Sequence, residues 1–490
     1  MRVLRLLAVV CALGAIAAAW WTAGPVARDG RPAAKGRVPG VVVLCFDTLR
    51  ADATHGPAGA AALPTFAAFG ASATRFPGAL ASCSWTGPSV GTLLTGLSPW
   101  NHGVFEVTST TRLAASVPTL ASILRAAGWS TAAVTGGGWL SEGCGLPAGF
   151  DQYDADFDEL EPAAAVRRWE RRRALDRPFL LFLHTYAAHD PYGDKRAFAE
   201  GRCDDAAREA GAALAARVGH GRLGDAPDVL RDFLRTYFAD PCGRGALERA
   251  LGAVRFEAAV VGTRPVIDGA WRTLGGGPAI VDELRAAYHG PGLAWVDARL
   301  RATLDALASL PPETVVVVCS DHGEAFGEHG PLYHGRFLTP ELVRSVLMVR
   351  APGWPARDVP GTVGLVDVTP TLLDLCGVAP ARGVAFDGVS LVPRVRGTAG
   401  DRPVASGVVP PADPLGGPET YARRAAVRDA RFAWSARYDV RQRAWGDEAW
   451  FDRAADPDER RPLAAPPAVD DAFARARDDL RRAFEARFGR

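Results

Sequence analysis

The chain has 490 residues, enough for two or three folding units with a large buried core. Its 56 Lys and Arg residues balance 55 Asp and Glu residues, which gives a formal net charge of +1. This balance excludes the basic face of a nucleic-acid-binding protein, and it leaves no acidic tail.

The first predicted element is an export signal. Arg2 and Arg5 precede an apolar run from Leu6 to Trp21, after which the sequence turns polar and rich in Gly and Pro. Residues 1–22 are predicted to be a signal peptide or an N-terminal anchor, and cleavage is favoured because this run is shorter than the roughly 20 residues of a membrane-spanning helix. Residues 23–38 are predicted to form a flexible tether. The protein is therefore expected to be extracytoplasmic, either periplasmic, secreted or membrane-tethered.

Short apolar runs alternate with longer helical stretches over most of the chain. The predicted strands cover residues 41–46, 131–136, 178–186, 314–320 and 344–350. Continuous apolar strands separated by helices are typical of a parallel sheet covered on both faces. We predict an α/β fold with a mostly parallel central sheet in a domain spanning residues 39–395.

Two stretches depart from that alternation. Residues 195–290 are rich in Ala and Arg with little strand character, and we interpret them as a helical insertion. Cys203 and Cys242 lie in this stretch and could pair in an exported protein. Residues 396–490 read as antiparallel strands followed by a final helix, which predicts a small C-terminal α+β subdomain.

Polar side chains that can bind metal follow three of the predicted strands. Ligands bind beyond the carboxyl ends of the strands in open α/β sheets, so these residues should meet at one edge. Carboxylate and imidazole ligands of this kind suit a divalent metal ion. The residues are Asp47 after the first strand, His184 and His189 at the third, and Asp321, His322 and His334 at the fourth.

Thr86 stands at the start of a predicted helix, directly before Gly87 and Pro88. Free N–H groups at a helix N-terminus favour a tetrahedral oxyanion. A threonine hydroxyl is a weak nucleophile, but coordination to a metal can activate it. The alternative interpretation of Thr86 is a helix cap.

These segments resemble the sulfatase family of the alkaline-phosphatase-like superfamily. CFDTLRAD, WTGPSVGTLLTGLSPWNHG, FLHTYAAHDPY, AWVDARL, SDHGEAFGEHGPLYHG and VDVTPTLLDLCGV occur in the order that the family has. As an ordered set they are highly specific. The resemblance implies that Asp47 is the first metal-binding aspartate.

The chain also departs from the family pattern. Thr48 stands where sulfatases have a second aspartate, and Thr86 stands where they carry the Cys or Ser that becomes formylglycine. Val90 replaces the arginine of that motif, and Cys83 does not restore it because Trp85 occupies the place of the proline. Formylglycine is therefore not expected.

The SDHGE segment resembles phosphonate monoester hydrolases and lipid phosphoethanolamine transferases, in which a threonine is the transferase nucleophile. The resemblance implies that Asp47, Thr86, Asp321 and His322 bind metal. It also implies that His189 or His334 protonates the leaving group or holds a second metal, and that His184 contacts the substrate or is a buried structural histidine. This mixed nitrogen–oxygen set favours Zn or Mn, while Ca or Mg also fit.

Three functions follow from these observations. The first is an exported, metal-dependent hydrolase that cleaves sulfate or phosphate mono- or diesters through a covalent intermediate on Thr86. Its substrate would be a small-molecule, glycan or lipid ester. The second is a headgroup transferase of the phosphoethanolamine or phosphoglycerol type. The sequence has only one short apolar segment instead of the multi-span membrane domain of those transferases, which argues against this function. The third is a non-catalytic binding protein on the same scaffold.

Overall fold

The structure, a computed structural model, describes residues 38–105, 111–155, 162–218, 227–252, 277–410 and 421–489. The predicted signal peptide at 1–22 and all of the predicted tether except Val38 lie outside the described residues. No helix in the described part of the chain is long and apolar enough to cross a membrane.

Thirteen strands are found in the described residues. They are β1 Gly40–Phe46, β2 Thr74–Arg75, β3 Gly78–Leu80, β4 Ser130–Thr135, β5 Gln152–Asp154, β6 Phe179–Thr185, β7 Val315–Ser320, β8 Leu347–Arg350, β9 Thr362–Gly364, β10 Val404–Val408, β11 Ala422–Arg428, β12 Phe432–Asp439 and β13 Ala444–Asp452.

The helices of the described residues lie between and after these strands. They are α1 Gly56–Ala62, α2 Pro64–Ala71, α3 Thr86–Thr95, α4 Pro99–His102, α5 Leu120–Ala126, α6 Pro162–Glu170, α7 Arg196–Ala199, α8 Asp205–Val218, α9 Pro227–Ala239, α10 Pro241–Leu251, α11 Gly277–Ala287, α12 Leu293–Ala306, α13 Pro340–Val343, α14 Val368–Cys376, α15 Val392–Val395 and α16 Asp471–Phe488.

The central sheet has seven strands in the order β2-β8-β7-β1-β6-β4-β5. Strand β1 lies between β6 and β7 and runs parallel to both, and β4 runs parallel to β6 and β5. Strand β8 starts three residues later than predicted and runs antiparallel to β7. Strand β2 in turn runs antiparallel to β8. The predicted fold class, a mostly parallel sheet with helices, is confirmed.

Hydrophobic cores cover both faces of this sheet, which explains why its strands are apolar without alternation. Val42 and Leu44 of β1 belong to one core, whereas Val41 and Val43 belong to the other. Cys45 of β1 pairs in register with Cys319 of β7, and both thiols are fully buried. The central strands are therefore fixed on both sides, and their carboxyl ends form one rigid edge.

The C-terminal residues form a second sheet, with the antiparallel order β10-β11-β12-β13. Helix α16 packs on it through Phe473, Leu480 and Phe484, which join Trp434 of β12 in a separate core. In the predicted insertion, the described residues form helices α7 to α11. Cys203 and Cys242 are joined in a disulfide there.

The disulfide yields a stability prediction. Cys203→Ser is expected to lower the free energy of unfolding by about 3 kcal/mol, because the bond closes a long loop in the unfolded chain. Its partners are 39 residues apart in sequence. Urea unfolding without reductant measures the change. Cys144→Ser, which alters a half-buried free thiol, is the control and should change stability by less than about 1 kcal/mol. Equal stability of Cys203→Ser and the parent would contradict the prediction.

Candidate active site

The carboxyl ends of β1, β6 and β7 bring the predicted polar residues together. Cys45 lies opposite His184 on one side and Cys319 on the other, so Asp47 and Asp321 each follow their strand at the same level. The side chains of Asp47, Asp321, His322 and His184 are all fully buried. The sheet edge thus concentrates two carboxylates and two imidazoles away from water.

Three of these residues are arranged to hold a cation. One ligand atom each from Asp47, Asp321 and His322 lies within 4.8 Å of the other two. His322 Nε2 is 3.6 Å from Asp321 Oδ2 and 3.9 Å from Asp47 Oδ1. Thr86 joins them, since its hydroxyl donates a 2.9 Å hydrogen bond to Asp47 Oδ2. The four predicted metal ligands therefore form one cluster.

A divalent cation fits this cluster because its buried polar atoms lack other partners. Asp47 Oδ1, Asp321 Oδ2 and His322 Nε2 have no hydrogen-bond partner. Buried charged atoms are costly unless they are paired or coordinate a metal. The His322 ring is turned for coordination, because its Nδ1 is 2.9 Å from the Gly323 carbonyl oxygen and Nε2 is left for an ion.

Thr48, at the place where the sequence analysis noted a second aspartate in sulfatases, makes hydrogen bonds to the segments of both aspartates, Asp47 and Asp321. Its hydroxyl donates to the Asp47 carbonyl oxygen at 2.8 Å, and its N–H donates to Asp321 Oδ1 at 3.2 Å. Its φ of 56° is unusual for a β-branched residue. These two hydrogen bonds hold the strained turn and connect the Asp47 loop to Asp321.

Thr86 is the first residue of α3, and the residue at the N-cap is Trp85, which provides no side-chain cap. The hydroxyl of Thr86 contacts a carboxylate instead, so the geometry does not match the helix-cap alternative. Val90, at the place of the motif arginine, is fully buried beside Leu93 in the core. Burial raises the pKa of the nearby Cys83 thiol to about 12, which disfavours it as a nucleophile.

His184 lies against the two aspartates rather than in the open pocket. Its Nε2 is 3.4 Å from Asp47 Oδ2 and 3.9 Å from Asp321 Oδ2. Burial alone would lower the pKa of His184, but the Asp321 and Asp47 carboxylates raise it to about 9. Burial would likewise raise the pKa of Asp47, and the neighbouring His184, His322 and His189 lower it well below its usual range. A role beside the metal ligands matches this position better than the predicted contact with substrate.

His189 and His334 face each other over the cluster, with ring centroids 5.1 Å apart. His189 is in ion-pair contact with Asp190, whose Oδ1 is 2.8 Å from Nδ1. Burial would lower the pKa of His189, but the charge of Asp190 raises it to about 9. Burial and the charges of His322 and His189 instead lower the pKa of His334 well below its usual value. The pKa values of the two histidines are therefore shifted in opposite directions.

Glu324 is a site residue that the sequence analysis did not identify. Its carboxylate is 3.1 Å from His334 Nδ1 and accepts a 3.2 Å hydrogen bond from the Tyr192 hydroxyl. Burial raises the pKa of Glu324 to about 8. The signal for it was an acidic residue two positions after His322, inside the quoted SDHGE segment.

A cavity of about 450 Å³ opens above Thr86. Gly335 permits the close approach of one wall, since a Cβ there would lie 1.8 Å from Trp85 Cε3. Trp139 packs edge-on against Trp85 at the opening, with 36% of its surface exposed. The cavity lining includes two charged residues, Asp190 and Lys195, and a set of aromatic rings and histidines: Trp85, Trp139, Tyr186, His189, Tyr333 and His334.

Comparison with known proteins identifies similar sequences. The sulfatase family model matches residues 39–378. A choline-sulfatase of Rhizobium meliloti is 34% identical over 205 residues, which is 41% of this chain and 37% of that protein. Arylsulfatase K of Mus musculus is 36% identical over 102 residues, which is 20% of this chain and 18% of that protein. Each match spans less than two fifths of the relative's own length.

Solved structures align with nearly the whole chain. BT4656 in complex with its substrate D-glucosamine-2-N,6-O-disulfate has a TM-score of 0.62 at 18% identity, covering 92% of this chain and 97% of that one. Phosphonate monoester hydrolase of Agrobacterium radiobacter has a TM-score of 0.59 at 19% identity, covering 91% and 95%. At these identities the alignments establish a shared fold.

The cluster predicts that metal binding stabilises the chain. Adding Zn²⁺ or Mn²⁺ to chelator-treated protein, at a free concentration about 100 times Kd, should raise the free energy of unfolding by about 2.7 kcal/mol. Thermal unfolding and metal analysis measure the effect, which Asp321→Asn should abolish. Asp297→Asn alters a buried carboxylate that bonds Thr65 instead, and it should retain the shift. Stabilisation of the Asp321→Asn variant by the same ion would contradict the assignment.

Proposed function

The chain belongs to the sulfatase family, and from this we propose that it is an exported, metal-dependent ester hydrolase that uses Thr86 as its nucleophile. It would cleave sulfate or phosphate mono- or diesters, including phosphonate esters, without formylglycine. The hydrogen bond between Thr86 and Asp47, inside a buried cluster of unpaired ligand atoms, is the observation that carries the proposal.

The residues around Thr86 suggest how each would act. The metal would be held by Asp47, Asp321, His322 and Thr86, and its chemistry is to lower the pKa of the hydroxyl and to neutralise charge on the ester oxygens. The N-terminus of α3 begins at Thr86, so its backbone N–H groups favour an anion at the same point. Binding of a tetrahedral ester group is therefore supported from two sides.

The reaction would proceed in two steps. Thr86 would first lose its hydroxyl proton to solvent. Its Oγ1 alkoxide then attacks the sulfur or phosphorus atom while the bond to the leaving oxygen breaks, and His189 or His334 gives a proton to that oxygen. Water then attacks the Thr86 ester, which releases sulfate or phosphate, returns a proton to the histidine and leaves Thr86 as the alkoxide again. Aromatic rings around the cavity would contact the organic part of the ester.

The substrate class rests on two sources. The name of the choline-sulfatase relative points to sulfate esters. The Thr86 nucleophile and the Asp321–His322 pair resemble enzymes that act on phosphorus, so both ester types are proposed. A small-molecule, glycan or lipid ester would fit a cavity of about 450 Å³.

The proposed location outside the cytoplasm is supported by the signal-like pattern at residues 1–22. The disulfide between Cys203 and Cys242 also suits an oxidising compartment. A membrane tether through the N-terminus remains part of the proposal if the signal is not cleaved.

Substitution of Thr86 tests the nucleophile. Thr86→Ala is expected to reduce kcat by about 10³-fold or more, because the variant lacks the oxygen that forms the ester intermediate. Thr86→Ser should retain measurable activity. Turnover of 4-nitrophenyl sulfate, 4-nitrophenyl phosphate and bis(4-nitrophenyl) phosphate is measured with Mn²⁺, Zn²⁺ and Ca²⁺, and mass spectrometry of acid-quenched protein locates the adduct.

Thr92→Ala is the matched control, because it makes the same change on α3 where the hydroxyl contacts His102 instead. It should keep most of the activity. A Thr86→Ala variant as fast as the parent would refute the nucleophile. An adduct released only by an added alcohol would favour the transferase, and metal binding with no turnover of any ester would favour the binding protein.

A further inference from the structure

The helical insertion reaches the candidate active site through Arg244. This residue lies on α10, and its guanidinium forms an ion pair with Asp190 Oδ2. It also lies over the ring of Tyr237, 4.1 Å from the centroid. Asp190 has 1% of its side chain exposed and Arg244 has 21%, so the pair is largely removed from water.

Asp190 connects Arg244 to His189. Oδ2 of the carboxylate contacts Arg244, while Oδ1 is 2.8 Å from His189 Nδ1. Burial would raise the pKa of Asp190, but His189 and Arg244 lower it well below its usual range. The carboxylate therefore contacts groups from two parts of the chain, Arg244 through Oδ2 and His189 through Oδ1. The His189 contact is an ion pair without a hydrogen bond to Oδ1, and the backbone carbonyl oxygen of Asp190 lies 3.3 Å from the same Nδ1.

This arrangement leaves one nitrogen of His189 for the cavity. With Nδ1 against Asp190, Nε2 is 3.3 Å from the Tyr333 hydroxyl, and both residues line the cavity with Thr86. The other histidine is held differently, by the Glu324 carboxylate. Of the two, His189 is the one supported by a carboxylate that is itself paired with an arginine, which is the support that a proton donor needs.

We propose that Arg244 is a positioning residue, which holds Asp190 so that His189 Nε2 can protonate the leaving oxygen. The proposal rests on the proposed function and deepens it. As the sulfur–oxygen or phosphorus–oxygen bond breaks, the proton moves from Nε2 to the leaving oxygen and the imidazole becomes neutral. Nε2 regains a proton from the water that hydrolyses the Thr86 ester, so atoms and charge balance.

The structure fixes α10 well enough for this role. Asp240 caps the helix, because its Oδ1 accepts a 2.9 Å hydrogen bond from the Gly243 N–H. The disulfide attaches Cys242, two residues before Arg244, to the segment preceding α8. Helix α8 also approaches α10 closely, since a Cβ on Gly211 would lie 2.3 Å from the Gly243 carbonyl oxygen.

The test compares esters that need a proton donor with esters that do not. For Arg244→Met, kcat/KM should fall about 100-fold for phenyl and alkyl esters, whose leaving groups are basic. It should fall less than about threefold for the 4-nitrophenyl ester, whose leaving group departs as the anion. Asp190→Asn should give the same pattern, and Arg244→Lys should restore part of the loss because it keeps the charge.

Arg249→Met is the matched control on the same helix, since Arg249 packs over Phe198 and does not contact Asp190. It should leave both ester types unchanged. Equal losses of Arg244→Met on all leaving groups would reduce Arg244 to a structural role and overturn the proposal. If Arg244→Met lost activity equally on all leaving groups while Thr86→Ala was inactive, the role of Arg244 would be refuted and the proposed function would stand. The failure of this inference is therefore distinguishable from the failure of the proposed function.

A crystal structure of Arg244→Met decides the question independently of turnover. We expect the His189 ring to rotate away from Tyr333, with Nε2 beyond hydrogen-bond distance of its hydroxyl. An unmoved ring would overturn the proposal even if the parent cleaved none of the esters.

Discussion

Two like charges buried side by side are the constraint on which the site depends. Asp47 and Asp321 follow adjacent parallel strands, so the register of the sheet brings their carboxylates together whatever the loops do. Both are fully buried, and each keeps one oxygen without a hydrogen bond. Like charges in a low dielectric repel strongly unless a cation lies between them. The arrangement of the sheet therefore favours binding of a cation between Asp47 and Asp321. The Thr86 hydroxyl lies beside this position, because it donates a hydrogen bond to Asp47.

Much of this could be predicted from sequence because it depends on strand ends. Apolar runs predicted β1, β6 and β7. Because the carboxyl ends of parallel strands lie at one edge of a sheet, the polar residues after these runs were predicted to lie together there. The two-sided burial of the sheet made those runs continuous and easy to recognise. The antiparallel direction of β8 was not predicted, because direction leaves no trace in a short apolar run.

Other residues could not be predicted because their roles depend on packing rather than on pattern. Glu324 was visible in a quoted motif, but only its contact with His334 indicates what it does. His184 ends its strand as expected, yet its depth places it beside the aspartates and not in the cavity. Arg244 lies in a helical stretch with ordinary surface composition, 54 residues from Asp190. Arg244 follows no predicted strand and lies in no quoted motif, so no pattern in the sequence pairs it with Asp190.

The contact between Arg244 and Asp190 limits how this fold can be recombined. A designer of chimeras could treat the helical insertion at residues 195–290 as a separate segment. Yet the loop after β6 carries a buried carboxylate whose counter-charge is encoded inside that segment. A chimera that exchanged only the loop after β6 or only the insertion would leave the Asp190 carboxylate beside His189 without its Arg244 partner. A graft of this fold therefore has to carry both segments, or supply a new counter-charge for Asp190.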